Sequence, residues 1–153
     1  MIERICDGDL TMAIILRREY RADGIQFLTP DSYTQQLGYM NRPQGYVIKP
    51  HLHQPVSREV AYTSEVLFIK SGRVRVDFYG EDQSYRESRM LEIGDVILLM
   101  VGGHGFEMLE TSEIIEVKQG PYAGERDKLR FESVSEDRIR LSGQIKATNK
   151  AAT

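Results

Sequence analysis

The run Arg73 to Tyr79 alternates strictly. Val74, Val76 and Phe78 fall on one side, and Arg73, Arg75, Asp77 and Tyr79 on the other. A period of two is the signature of a β-strand with one buried face, whereas a helix would wind these valines around its axis. Turn signals then recur along the chain at Asp7-Gly8-Asp9, Asp23-Gly24, Thr29-Pro30-Asp31, Ser71-Gly72, Gly80-Glu81-Asp82, Gly94-Asp95, Gly102-Gly103 and Gly120-Pro121. Short runs rich in β-branched and aromatic residues lie between them, the pattern of an all-β sandwich or barrel. Further strands are predicted at 12–16, 25–28, 45–53, 65–70, 96–101, 105–109 and 114–119. Pro50 cannot donate to a ladder, which assigns the 45–53 run to an edge or a bulge. A short helix is predicted after Thr29-Pro30, where proline suits a first helical position. The mixed charges of 125–140 read as a solvated outer face.

At 153 residues the chain is one domain's length and needs no covalent staple to bury a core. Residues 1–141 are read as that domain, and the small polar stretch 142–153 as a disordered tail. Lys plus Arg numbers 20 against 23 for Asp plus Glu, a formal charge of -3. That balance argues against nucleic acid and against an anionic membrane surface as partners. The longest strongly apolar run, Val96 to Val101, is six residues, too short to span a bilayer. No secretory signal is evident at the start, and the expected compartment is the cytoplasm. Cys6 is the only cysteine, which leaves no internal disulfide and no cysteine-based zinc cluster.

The three histidines are the chemically informative residues. His51 and His53 are two apart in a predicted strand and therefore leave the same face. Glu65 opens the next apolar strand, and His104 follows the strand that begins after Gly94-Asp95. Three neutral imidazoles and one carboxylate suit Fe, Mn, Zn, Ni or Cu better than Mg or Ca.

At these residues the sequence resembles the cupin superfamily. The first motif stands as Gly45-Tyr46-Val47-Ile48-Lys49-Pro50-His51-Leu52-His53, followed by Glu65-Val66-Leu67-Phe68-Ile69-Lys70-Ser71-Gly72. The second runs from Gly94-Asp95 to Gly102-Gly103-His104. Eleven residues separate His53 from Glu65, where the family has three or four, and this reads as a loop insertion at the barrel mouth. In the second motif Met100 replaces a proline, and the family's histidine would fall at Gly105, one place after His104. Such a shift reverses a side chain's face unless the Gly102-Gly103 pair absorbs it.

The resemblance implies a jelly-roll barrel with minor helical content. It also implies a divalent transition metal (Fe, Mn, Zn or Ni) held by His51, His53, Glu65 and His104. Strand parity places Val47, Lys49, Leu67, Ile69, Phe106 and Met108 in the lining of an otherwise apolar, small-molecule pocket. Tyr39, Tyr46 and Lys49 are candidates for proton transfer, Lys49 and Arg58 for contact with an acidic ligand, and Glu59 is a rival metal ligand. The implied activity is a sugar-related isomerase or epimerase, or a dioxygenase. Cupins also serve as non-catalytic ligand-binding or sensing modules, and a closed four-ligand site would be structural. The run 96–101 is apolar on both faces, so it needs a second cover, either another sheet or a second subunit. The latter possibility, with the family's habit, leads to the expectation of a homodimer.

Overall fold

The computed structural model describes residues 1–143, and the chain is almost entirely β. Ten strands follow in order: β1 (Ile2–Asp7), β2 (Leu10–Leu16), β3 (Gly24–Phe27), β4 (Gly38–Asn41), β5 (Glu65–Ser71), β6 (Arg73–Tyr79), β7 (Tyr85–Glu92), β8 (Val96–Leu99), β9 (Gly103–Met108) and β10 (Glu113–Lys118). Two short 3-10 turns lie at Gly124–Asp127 and Glu136–Arg138. The strands form a five-stranded sheet ordered β1-β2-β8-β5-β10, a three-stranded sheet ordered β7-β6-β9, and the separate β3-β4 hairpin. Every pairing between named strands is antiparallel.

The two larger sheets meet over one core. Ile5, Ala13, Ile15, Leu67, Ile69, Ile97 and Leu99 come from the large sheet, and Val74, Val76, Phe78 and Leu91 from the small one. Each set is the apolar parity of its strand, so the alternation visible in the sequence is what brings the sheets together. Gly72 makes the β5–β6 turn at φ +79°, where a Cβ would collide with Ser112 and with the Thr111 carbonyl. A glycine is required there on both counts.

Several expectations are corrected. The sheets do not close into a barrel: β9 and β10 each pair on one edge only among the described residues. Residues 45–53 form no strand; they run as an exposed, unpaired segment, because no neighbouring strand supplies partners for their backbone. The stretch after Thr29-Pro30 is a loop, not a helix. The Leu28 N–H donates to the Leu37 carbonyl at 2.8 Å, and Gln36 Nε2 donates to the Pro30 and Tyr33 carbonyls, both at 2.9 Å. Leu28 and Leu37 thereby pack on Leu98 and Met100, so the second cover of β8 is the chain's own loop.

The outer face of β6 is also covered. Arg75 and Asp77, the polar parity of the alternating strand, are buried. The segment from Phe131 to Leu141 lies across this face like a strap. Arg75 reaches Asp77 at 2.9 Å, Glu107 at 2.7 Å and Glu136 at 3.1 Å. Burial disfavours the Arg75 charge, but these three carboxylates outweigh it and raise its pKa. The Ser88 N–H donates to the Arg140 carbonyl at 2.9 Å, and the Val134 N–H to the Tyr79 hydroxyl at 3.0 Å. The 125–140 stretch keeps its charged side chains in solvent, as its composition suggests, and covers the sheet through the half-buried Phe131, Val134 and Ile139 and through the Glu136–Arg75 pair. Of the expected tail, Ser142 donates its N–H to the Ser88 carbonyl at 3.1 Å, and Gly143 sits against Glu3 and Arg89. Residues 144–153 lie outside the described residues.

Candidate functional site

The two long seams between the sheets differ. Along β1 and β7 the seam is tied by charge, with Arg89 on Glu3 at 2.9 Å and Arg86 on Asp7 at 2.7 Å. Along β9 and β10 it gapes, leaving a cleft of about 850 Å³. Glu65, Lys118, His104, Phe106 and Tyr79 line it, with Tyr62 and Lys128 to Phe131 around its mouth. Its volume falls in the range of small-molecule sites, and its lining mixes charged and aromatic side chains.

Glu65 is the polar centre. It is the first residue of β5, on the parity of Leu67 and Ile69, so its side chain enters the space between the sheets. His104 Nε2 lies 3.2 Å from one carboxylate oxygen and Lys118 Nζ 2.9 Å from the other. His104 comes from the opposite sheet, where it pairs with the core residue Phe78. Gly102, at φ +77°, turns the chain just before β9, and the imidazole begins that strand facing inward. Lys118 ends β10 and pairs with Glu65 across the sheet. The hydrogen bond from His104 holds the Glu65 carboxyl down at about 2, against the cost of its burial, and Lys118 adds to the effect. In return Glu65 raises the Lys118 ammonium above its ordinary value. Glu65 is thus an anion at any physiological pH, with one cation beside it and one imidazole fixed by it.

The cleft's far wall comes from the strap. Phe131 stacks edge-on against Tyr79 with ring centroids 5.1 Å apart. It reaches that position over Gly103, where a Cβ would come within 2.8 Å of the Phe131 ring. Burial pushes the Tyr79 phenol up, and its oxygen accepts from Val134.

The structure brings two of the four predicted ligands together, Glu65 and His104. His51 and His53 lie elsewhere, on the exposed 42–63 segment. Their rings are 5.1 Å apart, and His51 Nδ1 contacts the Lys49 carbonyl at 3.0 Å. Among the described residues no three His, Cys, Asp or Glu side chains converge as a metal group would require. Both oxygens of Glu65 are already engaged by Lys118 and His104, so within this one chain the assembled donors do not fit a transition metal. Lys49, Arg58, Glu59 and Tyr46 are exposed on the same segment, and Tyr39 stacks on Tyr20 in the β3-β4 region. None of these lines the cleft. Of the predicted lining, Leu67 and Ile69 are core, Phe106 reaches the cleft, and Met108 stands half-exposed at the open edge. Lys118, Tyr79 and Phe131 are site residues that the histidine pattern did not reveal. Lys118 shares the inward parity of Ile114 and Glu116, which is the signal that would have found it.

Compared with protein-family models, with curated proteins and with solved structures, the chain matches none.

Proposed function

We propose that the protein binds a small polar molecule in the cleft between β9 and β10 and acts on it by proton transfer through His104, as an isomerase or epimerase does. The observation that carries this reading is the meeting of Glu65 and His104, at 3.2 Å, from two different sheets inside a cavity. A carboxylate locked in its charged form fixes the orientation of the imidazole beside it, and an oriented imidazole is the commonest proton carrier in enzymes. Lys118 provides a positive charge where a carboxylate, phosphate or enolate oxygen would be placed. Phe106 and Phe131 supply apolar walls of the kind that excludes water from one face of a ligand.

The test is a panel of sugar nucleotides and small carboxylates, screened by ligand-observed NMR against wild type, His104→Gln and Lys118→Met. A compound bound by wild type loses at least about tenfold in affinity in both variants, which is the 1.4 kcal/mol of one charge-assisted hydrogen bond. A binder indifferent to both substitutions lies elsewhere and sinks the reading. Turnover of a panel member that disappears in His104→Gln separates an enzyme from a binding or sensing module.

A second reading keeps the cupin resemblance whole. In it a divalent transition metal (Fe, Mn, Zn or Ni) is held by Glu65 and His104 together with His51 and His53. The closeness of the first two and the mutual closeness of the last two favour it. It requires the exposed segment to be delivered to the cleft, and it would open the site to dioxygenase chemistry. Elemental analysis of protein purified without added metal tests it: a stoichiometric transition metal, lost in the His51→Ala/His53→Ala double variant, supports it, and absence of metal from wild type removes it.

A further inference from the structure

The open seam has a missing neighbour. β9 is paired on one side by β6 and bare on the other among the described residues. Met108 shares the inward parity of His104 and Phe106 yet stands 49% exposed, because no strand lies beyond it. A free strand edge of this kind is a template for another strand. The same chain carries an unpaired segment with a strand's sequence pattern. Residues 45–53 make no backbone hydrogen bond to any strand, and Val47 and Leu52 are 75% and 87% exposed. Polar contacts there stay within the segment, as in His51 to the Lys49 carbonyl and Arg58 to the Val56 carbonyl. Its apolar side chains find no cover on their own fold.

We propose that residues 45–53 of one copy add as an antiparallel strand to the β9 edge of a second copy, and reciprocally, giving a two-fold homodimer. An arm and an edge carried by the same chain satisfy each other in a closed, isologous exchange that stops at two. With His51 opposite His104, antiparallel pairing sets Val47 opposite Met108. This covers the exposed inner-face methionine with an apolar residue of matching parity. The arm then becomes the outermost strand, where Pro50 withholds a donor and blocks a further addition. Each cleft becomes composite, since the partner's arm brings His51 and His53 to the rim that Glu65 and His104 already occupy. The part those imidazoles play rests on the reading of the cleft as a ligand site. The strand exchange itself does not, and it is measured separately.

Disulfide trapping tests it. In a Cys6→Ser background, Val47→Cys and Met108→Cys are introduced together, and the protein is oxidised mildly in its folded state. The expected product is a covalent dimer on a non-reducing gel, and light scattering of the untreated wild type gives twice 17.5 kDa. A single-chain species with no free thiol would mean that the arm closes on its own edge, which overturns the exchange. Two free thiols per chain would mean that the arm does not reach β9, which also overturns it. Should the cysteine variant not fold, sedimentation of Lys49→Pro, which removes an N–H that points to β9 on the parity of Val47 and His51, against wild type decides. A dimer at least tenfold weaker in the variant supports the proposal, and a wild type monomeric at micromolar concentration, or an equally tight variant dimer, overturns it. Loss of ligand binding in His104→Gln with the dimer intact bears on the cleft alone.

Discussion

The two seams of the sandwich are built from the same kinds of residue and do opposite things. At the closed seam Arg17 donates to Glu3, to Asp95 and to the Met90 carbonyl, at 2.7, 2.7 and 2.6 Å. Asp95 also accepts the backbone N–H groups of Arg18 and Glu92, at 2.9 and 3.0 Å. Arg89 then joins Glu3 and Glu87. Each charge there has at least one opposite partner, and the network has no room for a ligand. At the open seam a single carboxylate, Glu65, serves an imidazole and an ammonium beside an accessible cavity. Saturated charge networks fix geometry. A fixed anion that orients an imidazole and an ammonium beside a cavity is what chemistry needs. The difference between structure and site lies in the accessible cavity beside the charges, not in which residue types are present.

That contrast is easiest to break at Asp95. Asp95→Ala takes from Arg17 one of its two carboxylates and leaves the Arg18 and Glu92 N–H groups without their acceptor, and the expected loss is about 2–4 kcal/mol in urea unfolding. A loss below about 1 kcal/mol would show that the closed seam is no more structural than the open one. Next comes the strap over the small sheet. Tyr79→Phe leaves the Val134 N–H without its acceptor, at a cost of roughly 1–3 kcal/mol, read as a lowered melting temperature with cleft geometry otherwise kept.

Glu65→Gln sharpens the comparison through pH. Because the native carboxyl titrates near 2 rather than at its ordinary 4.5, its contribution is complete above about 4.5 and is lost as pH falls toward 2. Wild type therefore loses stability across that window, and the variant's curve is flatter there, while at neutral pH the two differ by only about 1 kcal/mol. Parallel acid limbs would remove Glu65 from any special electrostatic role. The smallest effect belongs to Arg58→Ala on the exposed segment, within about 0.5 kcal/mol of wild type.

Much of this fold was legible in the sequence. The all-β class and the core parities of β5 and β6 follow from alternation and turn glycines, and Glu65 and His104, singled out as two of four metal ligands, lie side by side. What escaped has physical causes. β1 and β7 were missed because their charged residues are engaged instead of lying on a solvated face: Arg89 meets Glu3 and Arg86 meets Asp7 across the seam, and Arg4 donates to the Leu28 carbonyl. The alternation of Arg73 to Tyr79 suggested water on its polar side, yet Arg75 and Asp77 are buried under complementary charges from a segment more than 50 residues away. Periodicity reports which residues share a face; it does not report what covers that face. The 45–53 run has a strand's pattern, but a strand exists only where a second backbone receives its hydrogen bonds.

The strap has a consequence for how the chain is assembled. β6, β7 and β9 are synthesised before residues 131–142, so until the latter emerge Arg75, Asp77 and Ser88 sit in water on the bare back of a three-stranded sheet. That surface is polar enough to stay dissolved while it waits. The chain thus carries, through the interval in which a half-made β sandwich is most prone to stick to its neighbours, a hydrophilic rear that is sealed only at the end.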